Sequence, residues 1–428
     1  MLMKQLLSTI VLCSITCAAI AQKTYIQCGR LIDGVSDKER KTVTIVTEGK
    51  KIVEVKEGYV SGGTGDSIID LKNATVMPGF IDCHVHLEFQ FSKTAMTDGF
   101  RLKDADIAYQ AAIYAKRTLM AGFTTVRDLG GSGVNISLRN AINRGLVDGP
   151  HILTAGRAIS ASGGHMDHSV GLRDDAMRKT PGPEEGVADG RDECIKAVRY
   201  QFKAGANLIK IASTGGVLDL SEEGSGAEYS VDEIKAITET AKDYGMRVAC
   251  HAHGAEGIKR AILGGATSIE HGTFMDDEGI ALAKQHNVWY VPTLTAGRSV
   301  GDSAKVPGYF LPVIAAKAMV VGPTIQKTFA KAYKAGVKVA FGTDAGVFPH
   351  GKNYIEFQLM TEVGMPPMEA IKAATVNAAE LLGIRDELGS VEAGKVADII
   401  AVQGDPLKDI TTLGNMSFIM KEGKIYKK

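Results

Sequence analysis

The feature that most constrains the fold is an alternation of apolar, strand-like runs with helical stretches between residues 76 and 384. The runs recur at intervals of roughly 35–40 residues, which is the rhythm of a parallel sheet built from βα units. The helical stretches place apolar residues at spacings of three and four. The strand candidates are Val76–Leu87, Thr124–Leu129, His151–Ile159, Leu208–Ala212, Arg247–Ala252, Ser268–His271, Trp289–Leu294 and Lys338–Gly342, and the helical stretches include Ile107–Met120, Cys194–Lys203, Val231–Asp243 and Pro367–Leu382. Eight such strands predict an α/β fold, a closed (β/α)₈ barrel of the TIM type.

The two ends of the chain share a different pattern, in which short alternating runs are broken by turns. Thr42–Val46 and Lys51–Val55 show it near the N-terminus, and Ala397–Val402 and Phe418–Tyr426 show it near the C-terminus. Neither end has enough strands to be stable alone, so we expect them to pair into one small β-sandwich module. The predicted organisation is therefore a β module of residues 22–75 and 385–428 beside a barrel of residues 76–384.

The first 21 residues show a pattern typical of a secretory signal peptide. Lys4 precedes an almost wholly apolar run from Leu6 to Ile20, which ends in small residues at Ala21. The run is shorter than the ~20 apolar residues that cross a bilayer, so cleavage is favoured over a membrane anchor. We therefore expect a mature chain that begins near Gln22, is secreted or periplasmic, and has no stable membrane insertion.

Charge and cysteine content exclude several kinds of partner and site. The 49 acidic side chains balance the 49 basic ones, which argues against nucleic acid as the natural partner. Beyond the signal peptide, Cys28, Cys83, Cys194 and Cys250 form no short-spaced pairs. Neither a disulfide framework nor a cysteine-based zinc site is expected. The oligomeric state is left open, and a homo-oligomer is compatible with the sequence.

Side chains that bind metals fall at or just beyond the C-terminal ends of separate strand candidates. His84 and His86 belong to the first strand, His251 to the fifth and His271 to the sixth, and Asp344 follows the eighth. The C-terminal face of a (β/α)₈ barrel is where active sites are built. Because side chains alternate along a strand, two histidines two residues apart face the same way and can share one metal. Several histidines at corresponding strand ends therefore predict a metal centre.

Two of these positions leave alternatives open. His253 lies two residues beyond His251 and is its rival for the same metal. Asp344 lies within Gly342–Gly346, where the flanking glycines let the backbone approach closely and leave the carboxylate exposed to the site. An Asx-turn or a helix cap is the other interpretation of Asp344. The remaining ligand candidates favour the metal site.

Lys210 is the exception in the otherwise apolar strand Leu208–Ala212. An inward-pointing ammonium is strongly disfavoured there. The side chain either extends outward to solvent, or its neutral amine reacts with carbon dioxide to give a carbamate that bridges two metals. Outward extension is favoured for an isolated lysine. With histidines on the neighbouring strands, we expect the carbamate, N6-carboxylysine.

Six segments carry a specific resemblance, which extends over nearly all of the expected mature chain. They are Asp82–His86, Gly122–Asp128, Ile209–Lys210, His251–Gly254, Ile269–His271 and Gly342–Gly346. In this order they resemble the amidohydrolase superfamily, in its imidazolonepropionase-like branch that includes secreted Xaa-Pro dipeptidases (prolidases) and Xaa-Lys/Arg carboxypeptidases. The resemblance implies two divalent metal ions, with a preference for zinc, and short peptides as substrates.

The resemblance also implies a role for each site residue. One metal is bound by His84, His86 and Asp344, the other by His251 and His271, and a carboxylated Lys210 bridges them. His165 matches a histidine that contacts the scissile carbonyl or its oxyanion, and Tyr229 matches a tyrosine that holds the terminal carboxylate of the substrate. His253 either replaces His251 as ligand or contacts the substrate.

These roles predict hydrolysis of the amide bond of dipeptides or short peptides, with release of the C-terminal residue. Two cations bridged by hydroxide lower the pKa of that water toward neutrality, and Asp344 passes its proton to the leaving amine while His165 stabilises the oxyanion. The alternative is a cyclic amidohydrolase or deaminase with a single metal, as in imidazolonepropionase. Lys210 discriminates, because one metal needs no bridging carbamate. A secreted binding protein without turnover is a third interpretation, against which Asp344 argues.

Overall fold

The computed structural model describes residues 22–173, 179–220 and 224–428. The predicted signal peptide, residues 1–21, lies outside the described residues and stays a prediction. Within the described part of the chain, no helix combines the length and the apolar character needed to cross a bilayer.

The elements follow one another in chain order, with strands at both ends and alternating strands and helices between. The strands are β1 (Lys23–Leu31), β2 (Arg40–Glu48), β3 (Lys51–Glu57), β4 (Ser67–Pro78), β5 (Phe80–Val85), β6 (Phe123–Asp128), β7 (His151–Thr154), β8 (Ile209–Ala212), β9 (Val248–Ala252), β10 (Ser268–His271), β11 (Trp289–Val291), β12 (Ile399–Gln403), β13 (Met416–Lys421) and β14 (Lys424–Lys427). The helices are α1 (Ala95–Arg101), α2 (Asp104–Met120), α3 (Val134–Asn143), α4 (Gly190–Ala204), α5 (Val231–Asp243), α6 (Ala255–Leu263), α7 (Asp277–Gln285), α8 (Leu294–Ala304), α9 (Pro312–Lys334), α10 (Ile355–Glu362), α11 (Pro367–Lys372) and α12 (Ala378–Leu382), with a π-helical turn at Ala373–Asn377 and a 3₁₀-helix at Ile410–Gly414.

Both ends of the chain contribute to one seven-stranded sheet, with the order β14-β13-β12-β4-β1-β2-β3. Strand β4 joins the two halves, because it pairs in parallel with β1 and antiparallel with β12. An antiparallel bridge between Lys51 and Val396 brings the edge strand β3 to the segment that precedes β12, so the sheet curls on itself. Ile26, Ile45 and Phe418 are fully buried in the core that this curl encloses. This topology fits the predicted β-sandwich module.

The middle of the chain forms two parallel sheets, with the orders β5-β6-β7 and β8-β9-β10-β11. Their strands correspond to the first seven strand predictions, although the first prediction also covers the end of β4, and β7 and β11 end earlier than expected. The eighth prediction, Lys338–Gly342, is wrong as a regular strand. That segment makes one parallel bridge, from Val339 to Tyr290, and the chain makes another from Ala345 to Val85. The left-handed backbone of Asp344, with φ of 62°, interrupts the extended conformation between them.

The helix predictions are confirmed in type, with errors at the boundaries and one predicted helix that is divided. Helix α5 has both predicted ends, because Ser230 and Glu233 form a reciprocal capping box at its N-terminus. Helices α2 and α4 begin before their predicted starts. The predicted helix 367–382 is divided into α11, the π-helical turn and α12.

Phe80 and Phe123 are the first residues of β5 and β6, and their buried rings pack against those of Phe357 and Phe341. The ring centroids of Phe80 and Phe123 are 5.6 Å apart, and those of Phe341 and Phe357 are 4.3 Å apart. Offset and tilted aromatic contacts of this kind stabilise a dry interior. The apolar end of the strands is thus filled, and polar side chains are concentrated at the opposite, C-terminal end.

Candidate metal centre

The first group of possible ligands comprises His84, His86 and Asp344, whose ligand atoms all lie within 4.8 Å of one another. His84 is the second-last residue of β5, and His86 is the first residue after the strand. The Nε2 atoms of His84 and His86 lie 3.5 and 3.4 Å from Oδ1 of Asp344. Strand alternation turns both imidazoles to the same side, as the sequence predicted. Two nitrogens and one carboxylate oxygen therefore converge on one point.

Hydrogen bonds to the other ring nitrogens orient these two histidines. Nδ1 of His84 lies 2.9 Å from Oε2 of Glu270, and Nδ1 of His86 lies 2.8 Å from the carbonyl oxygen of Gly130. Both partners are acceptors, so each Nδ1 donates and each Nε2 keeps a free electron pair. The carboxylate of Glu270 is fixed in turn by Arg127, at 2.8 Å. Carboxylates and carbonyls in this position are the usual partners of metal-binding histidines.

Asp344 is held in a conformation that non-glycine residues seldom adopt. Its φ is 62°, and its backbone N–H donates to the carbonyl of His84 at 2.7 Å. A Cβ added at Gly342 would lie 3.1 Å from Cβ of His84, and one added at Gly346 would lie 3.0 Å from Cβ of His86. The flanking glycines therefore permit the close approach that the sequence predicted. Left-handed residues of this kind cluster at functional sites.

Asp82 fixes the segment around Asp344 to β5. Its buried carboxylate accepts hydrogen bonds from the backbone and hydroxyl of Thr343, at 3.1 and 2.6 Å, and from the amide of Asn353 at 2.7 Å. Burial raises the pKa of Asp82 to about 6, although these hydrogen bonds lower it. The carboxylate thus ties three parts of the chain together beneath the first ligand group.

The second group comprises His251, His253 and His271, which also offer ligand atoms within 4.8 Å of one another. The ring centroids of His251 and His271 are 4.7 Å apart, and those of His253 and His271 are 5.0 Å apart. Hydroxyl groups of Thr273 and Thr293 lie 2.7 Å from Nδ1 of His253 and of His271, respectively. His271 also has a left-handed backbone, with φ of 68°. The geometry brings all three rings together and keeps both His251 and His253 as ligand candidates.

The two groups adjoin, and Lys210 is buried beside them. The rings of His84 and His271 are 4.9 Å apart between centroids. Lys210 is 0% exposed, and its Nζ has no hydrogen-bond partner among the described residues. Outward extension to solvent is therefore wrong for this lysine. Burial lowers the pKa of Lys210 to about 8, against the opposing effect of the Glu270 and Asp344 carboxylates.

Burial also sets the charge of the ligand candidates. Desolvation, followed by the charge of Lys210, lowers the pKa of His86 to about 3 and that of His84 well below its ordinary value. The pKa of His253 falls to about 3, again chiefly through burial. Neutral imidazole is the form that binds metals. The donor set of imidazoles and one carboxylate fits divalent metal ions, and the orphaned amine of Lys210 is buried beside it.

His165 lies beside the second group. Its ring stacks on that of His251, with centroids 4.2 Å apart and planes inclined by 23°. Nδ1 of His165 lies 2.8 Å from Oδ2 of Asp219. The structure thus brings His165 to the same end of the strands as the candidate ligands.

Tyr229 requires a correction, because it is a core residue in this structure. Its side chain is 1% exposed and packs in the main hydrophobic cluster, and its hydroxyl donates to the carbonyl of Ala188 at 2.9 Å. The hydroxyl proton is already used within the core, so it has none to offer a substrate carboxylate. The predicted contact between Tyr229 and the terminal carboxylate is not supported by this arrangement.

Several polar residues that orient the site were missed at the level of sequence. They are Asp82, Arg127, Asp219, Glu270, Thr293 and Lys317. Arg127 and Glu270 are opposite charges within predicted strands of a parallel sheet, whose strands are usually buried, and this is a signal of a buried ion pair that could have been recognised. Asp219 and Lys317 lie outside all the predicted strands, so the sequence offers no such signal for them.

Together the fold and the two groups of ligand candidates define an α/β enzyme of the amidohydrolase class. The chain belongs to the amidohydrolase family, whose model matches residues 75–426. This result confirms the resemblance drawn from the six sequence segments.

Individual relatives agree with this assignment. The chain is 31% identical to an ochratoxinase from Aspergillus niger over 438 residues, which span 95% of this chain and 87% of the relative. It is 46% identical to a Xaa-Pro dipeptidase whose crystal structure has methionine bound in the active site, with a TM-score of 0.92 and coverage of 95% and 100% of the two chains. It is also 30% identical to a prolidase in complex with N-methylphosphonate-L-proline, with a TM-score of 0.85 and coverage of 95% and 100%.

Proposed function

We propose that this enzyme hydrolyses the amide bond of dipeptides or short peptides and releases the C-terminal residue. One observation carries the proposal: two groups of buried ligand candidates adjoin, and the orphaned amine of Lys210 is buried beside them. Similarity to a Xaa-Pro dipeptidase, at 46% identity over essentially the whole chain, supports a dipeptide as substrate.

We propose that the two parallel sheets form one closed (β/α)₈ barrel. Three parallel bridges support closure, because they link the free edges of the sheets through the eighth segment and through the chain after β7. These bridges are Ile159 to Ile211, Tyr290 to Val339 and Val85 to Ala345. All candidate ligands then lie at the C-terminal ends of the barrel strands, where such enzymes carry their sites. We further propose a signal peptide of residues 1–21, a β module of residues 22–75 and 385–428, and a barrel of residues 76–384. The signal peptide would direct the protein to secretion or periplasmic export.

The proposed metal ligands are those implied by the family resemblance, with zinc as the preferred metal. His84, His86 and Asp344 would bind one ion, His251 and His271 the other, and carboxylated Lys210 both. Carboxylation forms a bond between Nζ of Lys210 and the carbon of carbon dioxide and releases one proton from the nitrogen. The product is an anion with two oxygens, which removes the buried, unpartnered amine and fits between two cations. A pKa lowered to about 8 supports this reaction, because it increases the share of neutral amine.

Two divalent cations bound there would supply an activated water and polarise the substrate carbonyl. Residues of the chain would transfer the proton and stabilise the developing negative charge. Asp344 would accept the proton of the attacking water and deliver it to the leaving amine, acting first as base and then as acid. His165 would donate a hydrogen bond to the oxygen of the scissile carbonyl as negative charge develops on it. His253 would bind the second metal in place of His251 or contact the substrate.

The alternative proposal is a cyclic amidohydrolase or deaminase that uses a single metal. It is supported by an imidazolonepropionase from Fusobacterium nucleatum that is 26% identical over 392 residues. The burial of Lys210 favours the peptidase, because a site with one metal has no need of a bridging carbamate.

A dipeptide library tests the proposal. The zinc-loaded protein should hydrolyse at least one dipeptide. A chelator should abolish this activity, and added zinc should restore it. The library should vary the C-terminal residue among proline, lysine, arginine and bulky apolar side chains. Hydrolysis of a cyclic amide or deamination of a base, without any dipeptide turnover, would support the single-metal alternative and refute the peptidase.

A further inference from the structure

The ring of His165 is restrained on three sides. Nδ1 lies 2.8 Å from Oδ2 of Asp219, and one face stacks on His251 at 4.2 Å between centroids. The third restraint is Gly216, where an added Cβ would lie only 2.0 Å from Cε1 of His165. Nε2 is therefore the ring nitrogen left without a hydrogen bond among the described residues. A ring held in this way can present Nε2 in one direction only.

Asp219 is itself fixed by contacts from two parts of the chain. Its Oδ2 atom also accepts the backbone N–H of Gly216 at 2.8 Å, and Oδ1 pairs with Nζ of Lys317 at 2.7 Å. Lys317 belongs to α9 and donates further to the carbonyl of Gly216 at 2.8 Å. The side chains of Lys317 and Asp219 are only 11% and 16% exposed. Solvent screens such a pair much less than an ion pair at the surface.

We propose that Asp219 and Lys317 are positioning residues that aim Nε2 of His165 at the scissile carbonyl. The proposal rests on the role given to His165 under the proposed function. Asp219 accepts the hydrogen bond of Nδ1–H and so fixes the ring orientation, and Lys317 holds Asp219 and the Gly216 backbone in place. In the doubly protonated ring Nε2 also carries a proton, which it donates to the carbonyl oxygen while Nδ1–H stays on Asp219. An orienting carboxylate on the far nitrogen of a histidine is a general device for preparing the near nitrogen for catalysis. Neither residue contacts the substrate in this account.

Turnover measured in two backgrounds tests the proposal. Asp219→Asn should lower kcat for the best dipeptide by ~10²-fold, the size of loss that misplacing a catalytic group by about 1 Å can cause, with KM little changed. In a His165→Ala background the same substitution should change kcat less than about twofold, since nothing is left to position. Equal losses in the two backgrounds would show a purely structural role and overturn the proposal.

Variants of the lysine provide the matched control. Lys317→Met should lower kcat in the same direction as Asp219→Asn, and Lys317→Arg should restore part of the loss. Lys327 lies on the same helix and is exposed, so Lys327→Met should leave kcat unchanged. A loss with Lys327→Met as large as that with Lys317→Met would contradict a specific role for Lys317.

Nitrogen NMR separates the failure of this proposal from failure of the proposed function. In protein labelled with ¹⁵N-histidine, the signals of His165 are assigned by their loss in His165→Ala. We expect a protonated, hydrogen-bonded Nδ1 in the wild type and a shifted signal in Asp219→Asn. An unchanged signal would overturn the positioning role, whether or not a dipeptide is hydrolysed. A wild type with the expected signal and no dipeptide turnover would refute the proposed function alone.

Discussion

Replacing Glu270 by glutamine should weaken metal binding although it replaces none of the proposed metal ligands. Glu270 is 0% exposed, and its two carboxylate oxygens serve different partners: Oε2 accepts from Nδ1 of His84 at 2.9 Å, and Oε1 accepts from Arg127 at 2.8 Å. Ser268 donates to Oε1 as well. Glu270→Gln keeps the shape of the side chain but removes its charge and puts an amide in place of one oxygen.

Two magnitudes follow from these contacts. Loss of a carboxylate behind a metal-binding histidine lowers metal affinity by about 10–100-fold, because the ring loses its orientation and basicity. Arg127 is 2% exposed and would stay buried without a counter-charge. Breaking a buried pair in this way costs about 3–5 kcal/mol of the free energy of unfolding. Glu270→Gln should therefore bind zinc more weakly, and its metal-free form should also be less stable than the metal-free wild type.

Zinc affinity is measured by competition with a chelator, and stability by denaturant unfolding of the metal-free protein. Glu256→Gln is the control, because Glu256 pairs with Arg260 on the surface of α6, where its side chain is 59% exposed. This change should cost about 0–1 kcal/mol and leave zinc affinity unchanged. Zinc affinity within about twofold of wild type in Glu270→Gln would refute the account of how His84 is oriented.

Three further predictions concern single side chains. Asp344→Asn should lower kcat by about 10²–10⁴-fold while elemental analysis still finds most of the metal. Equal losses of kcat and of bound metal would contradict its role in proton transfer. Tyr229→Phe should cost about 1 kcal/mol of stability, from the hydrogen bond to Ala188, and leave KM within about twofold; a large rise in KM would restore a role in carboxylate binding. Burial raises the pKa of Glu356 from 4.5 to about 8, so the folded state holds a proton that the unfolded state releases, and stability should fall as pH rises through this interval. In Glu356→Gln that part of the pH dependence, measured by denaturant unfolding, should vanish; an unchanged slope would contradict it.

The parts of the site that could be predicted depend on local rules. Two histidines at alternate positions must face the same side of a strand, which placed His84 and His86 together without any knowledge of the fold. Glycines on both sides of Asp344 indicated that the backbone there approaches another segment closely. Strand ends of a parallel sheet lie at one edge, which brought the remaining histidines to the same place.

The other parts depend on contacts between distant segments. Asp219 lies 98 residues from Lys317 in the sequence and 54 from His165, so no pattern of spacing links them. Tyr229 was assigned by resemblance to a position before a helix, and only the packed core shows that its hydroxyl is used by Ala188. The eighth segment makes only isolated bridges, and within it the N–H of Phe341 donates to the carbonyl of Ala373 instead of to a neighbouring strand, a contact that its apolar sequence does not reveal.

Anomalous diffraction from crystals of the zinc-loaded protein, grown with bicarbonate, tests the central claim most directly. The account predicts two zinc peaks, one at His84, His86 and Asp344 and one at His251 and His271, with carbamate density on Lys210 between them. A single zinc peak beside an unmodified Lys210 amine would contradict the two-metal account.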